Sequence, residues 1–172
     1  NYSLINNIKN KINKNIQIYK LNVGNLNQSE YSVLLTSDSF WNMFTGEKLL
    51  IMQEDSFIFR DNINDFLEYD YIGAPWFKHQ NDTQNCVGNG GLSLRSKNIM
   101  IKILKTKNIE STVFNHSTKK YMKCTKMEFP PEDVYFSKTM QELKIGKISD
   151  YETASKFSSE SIYNELSFGG HC

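Results

Sequence analysis

The sequence lacks a long apolar run. No stretch approaches the ~20 residues that cross a bilayer as a helix, so no membrane span is expected. No apolar leader precedes a small-residue cleavage site, so no signal peptide is expected. Charge of one sign is also missing. Twenty basic and nineteen acidic residues leave +1, and no like-charge run is long, which argues against nucleic acid or an anionic membrane as a partner. Cysteine is scarce: Cys86, Cys124 and Cys172 form no CxxC pair, so a structural zinc site of the usual kind is not expected. A reduced compartment is the simple reading, with one bridge and one free thiol still open.

What is present suits a packed core. The 172 residues are 39% apolar and 13% aromatic, enough for one domain and too apolar for a disordered chain. Residues 2–13 space Ile5, Ile8 and Ile12 as an amphipathic helix. Ile16, Ile18 and Leu21 suggest a strand. Asn27 or Ser29 can cap a helix bearing Tyr31, Leu34 and Leu35. A helical turn holds Phe40, Trp41 and Phe44. Leu49–Met52 reads as a buried, central strand. A short helix around 64–67 and a strand near 69–72 follow. "CVGNGGLSLRS" puts a glycine cluster before an alternating strand, and Ser96 caps the next helix. Residues 105–128 read as a surface loop. "PPEDVYFSKTMQEL" starts a helix with acids in its first turn, "KIGKIS" is a short strand, and the tail is mostly polar. This order predicts an α/β domain with a mixed, mostly parallel sheet flanked by helices.

Four stretches could carry chemistry. Gln53-Glu54-Asp55 lies just past the end of "LLIM", where open α/β sheets bind ligands. Carboxylates there suit Mn²⁺ or Mg²⁺, which prefer oxygen ligands and bridge to phosphates. A solvated turn or strand-end salt bridge is the plainer alternative. "GNGGLSLRS" lets backbone approach a ligand at Gly88, Gly90 and Gly91, or simply bends between two strands. Glu132 and Asp133 sit where a helix dipole favours ionised acids, as a general base requires, and where ordinary helix starts also place them. His171 follows two glycines and could reach a metal, or be an ornament of the tail.

Taken in series, "EKLLIMQEDSFIF", "FLEYDYIGAPW", "VGNGGLSLRS", "PPEDVYFS" and "LKIGKIS" resemble a DUF5672-like domain of unknown function found in large DNA viruses and microbes. That pattern is in turn similar to glycosyltransferases of the GT-A fold, and to the β1,3-galactosyltransferase-like enzymes. The resemblance spans roughly residues 30–171 and implies one GT-A-like domain over 1–172 whose first strand–helix unit is shortened or missing. It implies a metal-dependent transferase that takes a sugar from a nucleotide-diphosphate donor, a UDP-sugar, to a hydroxyl of a glycan or other acceptor, with inversion. Asp55 would hold Mn²⁺ or Mg²⁺ and His171 would complete the metal shell. Gln53 stands where the family's first acid stands. Gln53 and Glu54, with Asn89, Gly90 and Gly91, would line the substrate site. Asp133, or Glu132 beside it, would be the base. A cytoplasmic location is expected, the host's cytoplasm for a viral chain. Two other classes remain open: a non-catalytic carbohydrate- or partner-binding domain on the same fold, and a metal-dependent phosphoester hydrolase.

Overall fold

The structure is a computed structural model. It describes residues 16–77 and 86–172, together with residues 5, 7, 9 and 11. The four described positions near the start are helical; the rest of the helix expected over 2–13 lies outside the described residues. Residues 16–21 form no regular element, so the strand expected there is absent.

Helix α1 spans Gln28–Leu35 and α2 spans Asp38–Asn42. Asn27 starts α1 through a capping box: its side chain accepts from the Glu30 amide at 2.9 Å, and Glu30 accepts from the Asn27 amide at 2.8 Å. Strands β1 (Lys48–Met52), β2 (Ser56–Ile58) and β3 (Tyr71–Gly73) follow, with a 3₁₀ turn at Ile63–Phe66. Strand β4 is Leu92–Ser96 and runs into α3, Lys97–Thr106. Helix α4 is His116–Thr125 and α5 is Glu132–Leu143. The chain closes with α6 (Tyr151–Phe157), β5 (Ser158–Ser159) and β6 (Gly169–His171).

Two small sheets form. In the first, with order β1–β4–β3, both pairs are antiparallel. The second, β2–β6–β5, is mixed: β2 meets β6 antiparallel and β5 meets β6 parallel. The chain is therefore mixed α/β, but its described strands do not make the mostly parallel sheet that was expected. The physical reason lies in β1. A continuous apolar run is as compatible with an edge strand as with a central one. Here Leu50 and Met52 are exposed at the edge, while β4 is central with all five residues buried. The alternation "LSLRS" predicts a half-solvated strand, yet Ser93 and Arg95 are buried because each finds polar partners inside.

Strand alternation divides the core. Tyr71 of β3 faces Trp41, Met100, Ile103, Tyr135, Phe136 and Met140, from α2, α3 and α5. Ile72, Leu92 and Leu94 face the other way, onto Phe66, Phe157 and Phe168. Each fully buried large side chain contributes about 1.5–3 kcal/mol by leaving water. Phe157 and Phe168 stack at 5.5 Å, so the tail is anchored by its aromatics despite its polar composition. Residues 105–128 are not a plain loop: they hold α4, which has no buried residue and was hidden by its lysines. "KIGKIS" contributes a single parallel bridge, Ile148 to Tyr71, in place of a strand.

Candidate functional site

A cleft of about 890 Å³ is lined by Gln53, Glu54, Asp55, Asn89, Gly90, Gly91, Glu132, Asp133 and His171; of the positions singled out from the sequence, Gly88 is not on it. Residues 18–21 and 23–27, outside regular structure, and Tyr31 of α1 form another part of its wall. Three local devices bring these residues together.

The first is the turn from β1 to β2. The Gln53 amide donates to the Gly91 carbonyl at 2.9 Å, extending the β1–β4 ladder by one residue. Ser56 Oγ donates to the same carbonyl at 3.0 Å. The turn is thus fixed against the glycine pair. The second is the β2–β6 pairing, which sets Ser56 opposite His171 and carries the imidazole back to the turn. His171 Nε2 lies 3.0 Å from Gln53 Oε1 and 3.2 Å from Asp55 Oδ1. The third is the start of α5. Pro131 is its cap residue but supplies no side-chain cap. Asp133 serves the backbone instead: Oδ1 accepts from the Val134 amide at 2.7 Å and Oδ2 from the Gly90 amide at 3.1 Å.

The glycine pair therefore lies between two functional groups. Gly90 meets Asp133 through its amide, and Gly91 meets the face of His171 where a side chain would be. Burial is the largest influence on Asp133, and the neighbouring Glu132 carboxylate adds to it. Together they push Asp133 up to about 7, against the lowering effect of its amide donors and Arg95. The two adjacent acids differ sharply. Both Glu132 oxygens are held by Arg95, at 2.5 and 3.1 Å, in a buried fork. Asp133 keeps no such counter-ion and lines the cleft.

Two residues were not found from the sequence. Glu160, just after β5, places Oε1 3.7 Å from His171 Nδ1, and Asn89 hydrogen-bonds to it. Burial is the main cause of its raised pKa. Nothing in "FSSES" signals it, because its position depends on a two-residue strand. Tyr31 read only as part of a helix's apolar face. Its hydroxyl reaches Gln53, and burial, then the charge of Glu132, raise its pKa.

Asp55, Glu160 and His171 are contiguous, but the two carboxylates address opposite nitrogens of the ring. Among the described residues no group of three or more His, Cys, Asp or Glu is arranged to hold a metal ion. Two polar atoms here, His171 Nδ1 and Glu160 Oε2, are buried without a hydrogen-bond partner. Such atoms are costly unless a ligand, ion or water satisfies them.

A family model described as a protein of unknown function, DUF5672, matches residues 15–171. The chain belongs to that family. No curated protein and no solved structure matches it. The family description names no activity, so for this DUF5672 chain the cleft itself must carry the functional argument.

Proposed function

We propose that the DUF5672 chain is a metal-dependent glycosyltransferase of the GT-A kind, a hexosyltransferase that uses a nucleotide-diphosphate sugar and inverts the anomeric centre. The observation that carries this reading is Asp133. It is a carboxylate poised near neutral pH, held by the Gly90 amide at the cleft wall. A general base works best with its pKa close to the working pH. Asp133 would take the proton of the acceptor hydroxyl as that oxygen attacks. Glu132 is left out of this role because Arg95 occupies both its oxygens.

Gln53, Glu54, Asn89, Gly90 and Gly91 would bind the donor, the glycines by letting it reach the backbone. The hard oxygen of Asp55 suits Mn²⁺ or Mg²⁺, with the imidazole of His171 beside it, while the two unpartnered buried atoms lie on the opposite, Glu160 side of the ring. Such ions commonly take only one or two protein ligands and complete their shell with phosphates and water. The ion would neutralise charge on the departing diphosphate. The antiparallel sheet adds nothing to the GT-A reading, which rests on the order of the motifs and on this cleft.

The test is transfer itself. The chain is incubated with Mn²⁺ and a panel of UDP-sugars, and UDP release and sugar transfer are followed. Asp133→Asn should lose on the order of 10²–10⁴-fold in rate, the usual contribution of a general base. An undiminished rate in Asp133→Asn would remove the assignment, and the absence of both binding and turnover with every donor would remove the function. The competing reading is a carbohydrate- or partner-binding domain without turnover. It draws on the Gln53–His171 contact, which engages the ring nitrogen that faces Asp55. Donor binding without UDP release would select it.

A further inference from the structure

Arg95 is fully buried inside the central strand, with its guanidinium 4.7 Å over the Tyr71 ring and 5.9 Å from that of Phe136. Its Nε donates to Ser93 Oγ at 2.9 Å, and its two terminal nitrogens grip Glu132. Ser93 Oγ donates to the Gly90 carbonyl at 3.2 Å. The Gly90 amide donates to Asp133, which is peptide-bonded to Glu132. The circuit Arg95–Ser93–Gly90–Asp133–Glu132 closes on itself beneath the cleft floor.

Stability alone does not account for this arrangement. A buried ion pair is often no better than apolar side chains of the same volume. Nor is the position convenient for the backbone. A Cβ on Gly90 would lie 2.7 Å from Glu132 Oε1 and 3.0 Å from Arg95 Nη2, so the pair restricts that position to glycine. What the pair does have is location: its acid is the residue before Asp133, and its guanidinium reaches the loop that holds Asp133 through Ser93.

We propose that the Arg95–Glu132 pair is a positioning device for Asp133, fixing the carboxylate against the Gly90 amide and supplying the charge beneath it. This rests on the reading of Asp133 as the base. The charged and titratable groups facing Asp133 are Glu132 on its own helix, Arg95 on β4, Tyr31 on α1 and Tyr71 on β3. The two tyrosines are held above their ordinary values, first by burial, and so are neutral near pH 7. Glu132 and Arg95 therefore act on Asp133 with opposite sign.

The experiment is a carboxyl ¹³C titration of the full chain labelled at aspartate, with the Asp133 signal assigned by its loss in Asp133→Asn. In Glu132→Gln the Asp133 midpoint should fall towards the ordinary carboxylate range. In Arg95→Gln it should rise, and Arg95→Lys, which keeps the charge, should stay on the wild-type side of Arg95→Gln. A merely structural pair predicts altered stability without these opposed shifts. If Arg95→Gln fails to fold, Glu132→Gln alone decides. An unmoved or raised midpoint in Glu132→Gln overturns the proposal. The readout needs no sugar transfer, so its failure is distinct from failure of the transferase reading.

Discussion

Gly91 is packed against the face of His171: a Cβ on Gly91 would lie well inside contact distance of three atoms of the imidazole. The ring has little room to retreat, because Gln53 and Asp55 hold Nε2 and Glu160 flanks the Nδ1 side at 3.7 Å. Gly91→Ala should therefore displace His171 and cost about 1–3 kcal/mol, as overpacking does. Combined with His171→Ala, which vacates the space, the two changes should cost less than their sum. Denaturant midpoints of the single and double variants measure this. Strict additivity would show that the two positions do not compete.

Asp133 should leave a mark on stability as well as on rate. Its folded value, about 7, lies above the ordinary 3.8, so the folded chain holds an extra proton between those limits. Stability must then fall as pH rises through that window. Asp70 and Asp150 are held below their ordinary values although burial opposes it. Hydrogen bonds from Ser96 and Lys147 lower Asp70, and the Thr153 amide lowers Asp150. Glu142 is held low by Lys107. Their contributions are lost only when pH falls through their lowered values, which is a separate window. Glu160 shares the sign of Asp133 and will keep part of the slope. Thermal melts from pH 5 to 8 should show a shallower decline in Asp133→Asn than in the unchanged chain. Identical slopes would mean that Asp133 titrates normally.

The sequence disclosed the parts of the site that backbone chemistry demands, and concealed those that depend on tertiary pairing. "GNGG" and "PPED" are local signals: glycines where other chains must approach, and acids at a helix start. Gly90, Gly91, Glu132 and Asp133 all lie on one cleft. "LLIM" is ambiguous in principle, because strand direction and edge position depend on what pairs with it. Arg95 looked like the polar side of an alternating strand. Only a Glu 37 residues away makes its burial tolerable. Glu160 and the α6–β6 tail were obscured because serines and a charged helix covered the aromatics that fix them, Phe157 and Phe168.

The Arg95–Glu132 pair separates two kinds of destabilisation. Arg95→Met alone leaves Glu132 charged and buried without its partner, and Glu132→Leu alone strands the guanidinium. Either change should cost about 3–5 kcal/mol. The double change Arg95→Met/Glu132→Leu removes both charges and keeps most of the volume. It should recover most of that loss, since apolar replacements of a buried pair are often neutral or better. Urea unfolding of the three variants measures the pattern. A double variant as unstable as the worse single would show that the hydrogen bonds to Ser93 and the loop matter more than the charges.

Gln53 is the sharpest probe of the metal assignment, because it stands in the turn with Asp55 and touches His171. As an amide it adds no charge to attract a cation. Gln53→Asp supplies a second carboxylate oxygen to the same turn, at the cost of the amide's contact with Tyr31. Mn²⁺ binding in the presence of UDP, read by calorimetry, should tighten on the order of tenfold, about 1.4 kcal/mol. Asp55→Asn should weaken it by at least as much, because even changes to groups that only support a ligand cost 10–100-fold. The two variants bracket the site from opposite directions. If Mn²⁺ binds and neither substitution changes its affinity, the ion is held elsewhere. His171, Gln53 and Asp55 would then be left as a polar clasp that joins the ends of β1 and β6.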